Sequence, residues 1–212
     1  MTRERILRWG GVASGGILIV FGIAVIIMSL LGRGIVNDEL SQQKIVGTPD
    51  MSPAGIQPSI EGAKLDVEAP DCDVAGKPID SGPRARCFSE YMHIHALESS
   101  GGYVYAEMGQ YLAKPGTPPD QLTPDGATNN PEFAKIDPET DKPASNAARN
   151  LWVTETALAT GLDVAYMSSL IVLFTLIVGI ALLLAGVGLI ILALGLLPPR
   201  APKGGEAEAA TS

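Results

Sequence analysis

The residues best suited to chemistry lie close together. The chain has two histidines, His93 and His95, set among Glu90 and Glu98. Imidazole and carboxylate are the groups that ligate transition metals and shuttle protons near neutral pH. On a helix, however, positions two apart point about 160° away from each other, so the two rings cannot grip one ion. His95 and Glu98, three apart, share a face and form the remaining metal pair. The residues read more simply as a histidine at a core edge, His95, hydrogen-bonded to a neighbour, with His93 facing solvent. No cofactor is expected, and no catalytic residue is singled out.

Other chemistries lack their patterns. No Gly-x-Ser-x-Gly turn presents a serine nucleophile, and Ser99-Ser100-Gly101-Gly102 reads as a helix terminus. Gly186-Val187-Gly188 lies inside an apolar run, where it cannot cradle a phosphate. Cys72 and Cys87 are too far apart for a C-x-x-C redox pair. In an oxidising compartment they are expected to bond, and closing a loop of about 15 residues stabilises a fold by roughly 3 kcal/mol.

The elements that position these residues follow from hydropathy. Val12–Leu31 carries no charged side chain, and its 20 residues match a hydrocarbon core of about 30 Å. A second uncharged run, Met167–Leu197, exceeds the minimum, and tilt or protruding ends must absorb the excess. A secretory signal has an apolar region of about 7–15 residues before a small-residue cleavage site, so the first run is expected to be retained as a span. Buried ionisable groups mark most ion pathways, and neither run has one.

Basic residues set the orientation. Arg3, Arg5 and Arg8 precede the first run and Arg200 and Lys203 follow the second, so both termini are expected in the cytoplasm. The segment between, Gly34–Tyr166, holds 20 acids against 9 Lys and Arg, a net charge of −11. That balance opposes binding to nucleic acid or anionic lipid.

The expected fold class is mainly α: a two-span transmembrane helical hairpin with a loop-rich, mostly helical extracytoplasmic domain inserted between the spans. The predicted boundaries are a cytoplasmic N-terminus at 1–11, a first span at 12–31, the outer domain at 32–166, a second span at 167–197 and a cytoplasmic tail at 198–212. Within the outer domain, helices are predicted over about 35–46, 53–64, 84–99 and 147–166. Ser52-Pro53 supplies an N-cap with proline at the first helical position, and Gly101-Gly102 a C-cap. The helix over 84–99 is expected to bury Cys87, Phe88, Tyr91, Met92, Ile94 and His95 and to expose Arg86, Ser89, Glu90 and His93. The last helix is expected to run straight into the second span with Leu151, Leu158, Leu162 and Ala165 on one face. Between them, 114–145 contains seven prolines and reads as an extended surface loop with little regular structure. In the spans, Gly11, Gly15 and Gly22 are expected to pack against Ala181, Ala185 and Gly188, since small side chains allow close helix approach.

Several stretches carry a resemblance: Gln43-Lys44-Ile45-Val46-Gly47-Thr48-Pro49-Asp50-Met51, Cys72-Asp73-Val74-Ala75-Gly76-Lys77-Pro78, His95-Ala96-Leu97-Glu98-Ser99-Ser100-Gly101-Gly102, Ala106-Glu107-Met108-Gly109, and Ala148-Arg149-Asn150-Leu151-Trp152-Val153-Thr154. In these the chain resembles an uncharacterised family of two-span membrane proteins from actinobacteria, some of which carry the label aromatic ring-opening dioxygenase. The resemblance implies a bacterial plasma-membrane location. The label implies a metal held by several His, Glu or Tyr ligands. The function expected is a membrane-anchored extracytoplasmic interaction or scaffold protein. A membrane-bound metalloenzyme using His95 and Glu98 is one alternative, and a small oligomeric transport accessory another. The expected partners are the lipid bilayer, another envelope or membrane protein, and a second copy of the chain through the spans.

Overall fold

A computed structural model of the chain describes residues 3–195. The tail at 198–212, with Arg200 and Lys203, lies outside the described residues. The protein is mainly helical, with four α-helices among the described residues: α1 (Arg3–Gln42), α2 (Pro53–Gly62), α3 (Gly82–Ser100) and α4 (Ala147–Gly195). Two of them, α1 and α4, are long and apolar enough to cross a membrane. A core helix of a soluble protein is mostly buried, whereas only 17% and 11% of their most apolar stretches are covered by protein. Trp9, Phe21, Met28, Phe174 and Ile191 all stand exposed.

The chain divides into two compact units, one built from the described residues up to Leu31 and from Val172 onward, the other from Gly32–Ile171. In the first, α1 and α4 meet along a seam of small residues. Gly15, Gly22 and Ser29 recur at intervals of seven on α1, and Gly179, Gly186 and Ala193 do the same on α4; all six are buried. A Cβ placed on Gly22 would sit 2.8 Å from the Gly179 carbonyl oxygen, and one on Gly15 would sit 2.6 Å from that of Gly186. The two backbones therefore touch directly, with nothing larger than a hydrogen atom between them at these points. Ser29 Oγ donates to the Val172 carbonyl at 2.7 Å, which satisfies the hydroxyl. The predicted partners on α4 are corrected here. Ala181 and Ala185 are exposed, and Gly188 has no neighbour within 4 Å of its Cβ direction. A seven-residue repeat, seen only once the partner helix is in place, selects the other set.

In the second unit, α1 ends at Gln42, short of the predicted 46. Lys44 takes a left-handed φ of 53°, and the chain that follows turns to extended pairing. Ile79 N donates to Ile45 O at 2.9 Å, and Gly47 N to Lys77 O at 3.0 Å. The α2 helix starts as predicted locally, with Ser52 accepting from Gly55 N and Pro53 at the first position. The α3 helix ends in Gly101 at φ 68°, where Gly102 N reaches Leu97 O at 2.8 Å, so a left-handed residue closes the last turn. The core joins Ile56 and Ile60 of α2, Ala85, Phe88, Tyr91 and Ile94 of α3, and Leu162 of α4 with Val74 and Ile79. A smaller cluster holds Ala96, Leu97, Met108 and Trp152.

The proline-rich stretch is more ordered than an open loop. A short hairpin pairs β1 (Ile136–Asp137) with β2 (Lys142–Pro143). Tyr111 bridges Thr128 and Ser145, and Ala113 bridges Ala134. One side chain ties this stretch to α4. Asn146 caps the helix, its Oδ1 accepting from Ala148 N at 3.2 Å, while its Nδ2 donates to Gly109 O at 3.0 Å and to Asp125 Oδ2 at 2.7 Å. Asp125 Oδ1 accepts in turn from Thr123 Oγ1, Ala127 N and Gly109 N. Burial pushes the Asp125 carboxyl up, but these donors outweigh it and hold the group below the usual aspartate range.

Candidate functional site

The α3 helix is held by a covalent and a hydrogen-bonded anchor one turn apart. Cys72 and Cys87 form a disulfide with a Cα–Cα distance of 6.0 Å, within the range such bonds adopt. Four residues on, the fully buried Tyr91 donates its hydroxyl to the Cys72 carbonyl at 2.6 Å. Burial, then the charges of Asp73 and Glu90, raise the Tyr91 phenol above its ordinary value, so it remains a donor. At the helix start there is no room for a side chain on Gly82: a Cβ there would meet Ser169 of α4. The α3 helix is thus packed on two sides, and Ser89, expected to face solvent, is buried.

On the α4 face that receives it, Leu162 is buried and Ala165 packs on the core as expected, whereas Leu151 and Leu158 are exposed and the buried positions toward the start of the helix are Trp152 and Glu155. That difference puts a carboxylate in the seam. The Glu155 side chain is 8% exposed, and its Oε1 lies 3.8 Å from Nδ1 of His93. His93 is exposed as expected, and its ring meets Trp152 edge-on, with centroids 5.2 Å apart at 79°.

Around this pair α3 and α4 leave a cleft of ≈ 390 Å³ lined by Val67, Glu68, Pro70, Arg86, Ser89, Glu90, His93, Ile94, Glu155, Ala159 and Asp163. Arg86 spans it, with Nε 2.9 Å from Glu90 and NH1 3.3 Å from Asp163. Burial lowers the affinity of Arg86 for its proton, but hydrogen bonding and charge from Asp163 and Glu90 prevail and raise it. The guanidinium is therefore already engaged by two carboxylates.

No family profile, curated protein or solved structure matches this chain.

His95 and Glu98, the predicted metal pair, do come together, with Nδ1 3.5 Å from Glu98 Oε2. The other nitrogen, Nε2, lies 3.2 Å from Asp50 Oδ2, a carboxylate that the sequence did not point to. The two ring nitrogens point outward in different directions, so the two acids flank the ring and do not converge on one point. Among the described residues no three His, Cys, Asp or Glu side chains are grouped to hold a metal. The donor set does not fit the metal implied by the dioxygenase label. A hydrogen bond from Thr48, opposed by burial and aided by the Asp50 amide and His95, keeps Asp50 below the usual carboxylate range. His95 thus joins α3 to the segment before α2.

Glu155, Trp152 and Asp50 are the site residues that sequence reasoning missed. A signal for the first was present: Trp152, Glu155, Ala159 and Leu162 follow three- and four-residue steps. An acid inside such a stripe marks a carboxylate turned toward a packed face.

Proposed function

We propose that the chain is a two-pass membrane protein that displays the segment between α1's and α4's apolar stretches outside the cytoplasm as an interaction module. The observation that carries this reading is the Cys72–Cys87 disulfide, located between two helices long enough to span a membrane. Such bonds persist in oxidising compartments and are rare in a reducing cytoplasm. The exposed apolar faces of both helices call for lipid around them. Arg5 and Arg8, ahead of the first stretch, favour a cytoplasmic N-terminus, and two spans return the chain to the same side. With the resemblance to the two-span actinobacterial family, the membrane in question is the plasma membrane of a bacterium.

The test has two arms. A reporter active only in the cytoplasm, fused after Ser212, should be active, and thiol labelling of denatured protein from cells should fail until a reductant is added. Labelling without reductant would remove the main support. For the interaction role, cross-linking in cells followed by mass spectrometry should recover the same envelope partner repeatedly, and recovery of nothing above background would count against it.

A further inference from the structure

We propose that the groove between the C-terminal turns of α1 and the Ala157–Ala165 turns of α4 holds one acyl chain of a membrane lipid. The groove lies within the second unit, has a volume of ≈ 390 Å³ and is apolar except for Glu39 and Gln43. Leu40 and Leu162, both in the core, close its floor. Its α4 wall carries Ala157, Gly161 and Ala165 at steps of four, so that side of the helix is stripped nearly to its backbone. Glycine weakens a helix interior relative to alanine, and is kept there where another group must come close. Gly179 and Gly186 have such a neighbour in α1, but a Cβ on Gly161 would meet nothing within 4 Å. Among the described residues nothing presses on Gly161, and a bound chain supplies the missing neighbour.

Size and surroundings select the occupant. Spread over the stretch from Ala157 to Ala165, about 12 Å of helix, the volume leaves a cross-section of about 30 Å². A partner helix is about 10–12 Å across and needs more than twice that area, whereas a hydrocarbon chain needs only carbon contacts at about 4 Å. The groove also continues the surface that calls for lipid. Ile35 stands one turn beyond Leu31, the last residue of the first uncharged run, and Val164 one turn before Met167, the first of the second. All four are exposed, so an acyl chain can pass from the bilayer into the groove along apolar surface. Glu39 disfavours the carboxylate of a free fatty acid, so the chain belongs to an esterified lipid. The inference rests on the two-pass reading and adds a lipid to its partners.

Full-length protein carrying p-benzoylphenylalanine at Leu158, Thr160 or Phe174 is reconstituted into vesicles of dioleoylphosphatidylcholine, irradiated and weighed by mass spectrometry. Leu158 lines the groove, Thr160 is exposed on another side of the helix, and Phe174 is exposed in the second uncharged run. Phospholipid adduct is expected at Leu158 and Phe174, and at least fivefold less of it at Thr160. Gly161→Leu, which fills the groove from a position with open space around it, should lower the Leu158 adduct fivefold or more and leave that at Phe174 unchanged. With adduct present at Phe174, any of three results would overturn the proposal and leave the membrane reading standing. These are equal yields at Leu158 and Thr160, a cross-link of Leu158 to a second copy in place of lipid, and an unaltered Leu158 yield in folded Gly161→Leu protein. Absence of adduct at Phe174 would remove the membrane reading, and the proposal with it. The comparison of Leu158 with Thr160 needs no change at Gly161 and stands even if that variant fails to fold.

Discussion

Replacing Gly22 with alanine adds a single methyl group to a helix 40 residues long, which in isolation favours the helix by up to about 1 kcal/mol. The seam reverses that sign. The new Cβ would stand 2.8 Å from both the Gly179 carbonyl oxygen and the Leu183 nitrogen, and 3.1 Å from the Leu183 Cα. Ordinary carbon–oxygen contacts between helices lie at about 3.3–3.6 Å, so the backbones must part by roughly half an ångström or more. No flexible side chain stands there to yield. A gap of about 0.5–1 Å forfeits a quarter to a half of the dispersion well at each contact it opens, and overpacking of this kind costs about 1–3 kcal/mol. Gly22→Ala should therefore destabilise the helix pair by about 1–2 kcal/mol. Gly188→Ala, whose Cβ meets nothing within 4 Å, should be neutral or slightly stabilising. The assay is the midpoint of unfolding as the SDS mole fraction rises in mixed micelles, read by tryptophan fluorescence on the full chain. Equal midpoints for the two variants would refute the close-packed seam.

Other perturbations probe the second unit. Cys72→Ser with Cys87→Ser should lower stability by about 3 kcal/mol, measured by denaturant unfolding, with the same loss on reduction of the unaltered protein. Tyr91→Phe leaves the Cys72 carbonyl without its donor and should cost about 1–2 kcal/mol in the same experiment. Asp125→Ala removes four hydrogen bonds and frees the Asn146 amide from one acceptor, which should cost about 2–3 kcal/mol. Because the folded-state Asp125 carboxyl is depressed, its contribution is fully present above the unfolded-state value of about 3.9 and is lost as pH falls through the folded value. Asp125→Asn should flatten that acid limb in a stability–pH profile; an unchanged limb would show that another carboxylate produces it.

The sequence was most legible where one local signal decides the outcome. Ser52-Pro53 and Gly101-Gly102 mark the ends of α2 and α3 because a cap or a left-handed residue acts within one turn. The apolar stretches of α1 and α4 stand out because length and charge exclusion need no partner to be recognised. Legibility failed where a second segment makes the choice. Lys44 leaves the helix because Ile45 pairs with Ile79, a contact invisible to periodicity. Leu158 and Trp152 are equally apolar candidates for the buried face of α4, and the position of α3 selects Trp152 and brings Glu155 with it. In the proline-rich stretch, order comes from single bonds between distant residues, such as Leu112 N to Ala144 O and Lys135 N to Leu112 O. Seven prolines suggested irregularity, yet a missing donor matters only at positions where the ladder requires one.

The seam between α1 and α4 also limits how that pair of helices can move. Small residues face small residues at one register, and the repeat is seven positions, about 10.5 Å along a helix. Ile26 and Ile19 already lie against Gly179 and Gly186, and a slide of one turn, about 5.4 Å, would carry each off the glycine that makes room for it, so the register is held. Pistons need a smooth bore, and this one is notched. Any message passed along these two helices would have to travel as a twist or a hinge, with the axial register of Gly22 against Gly179 kept throughout.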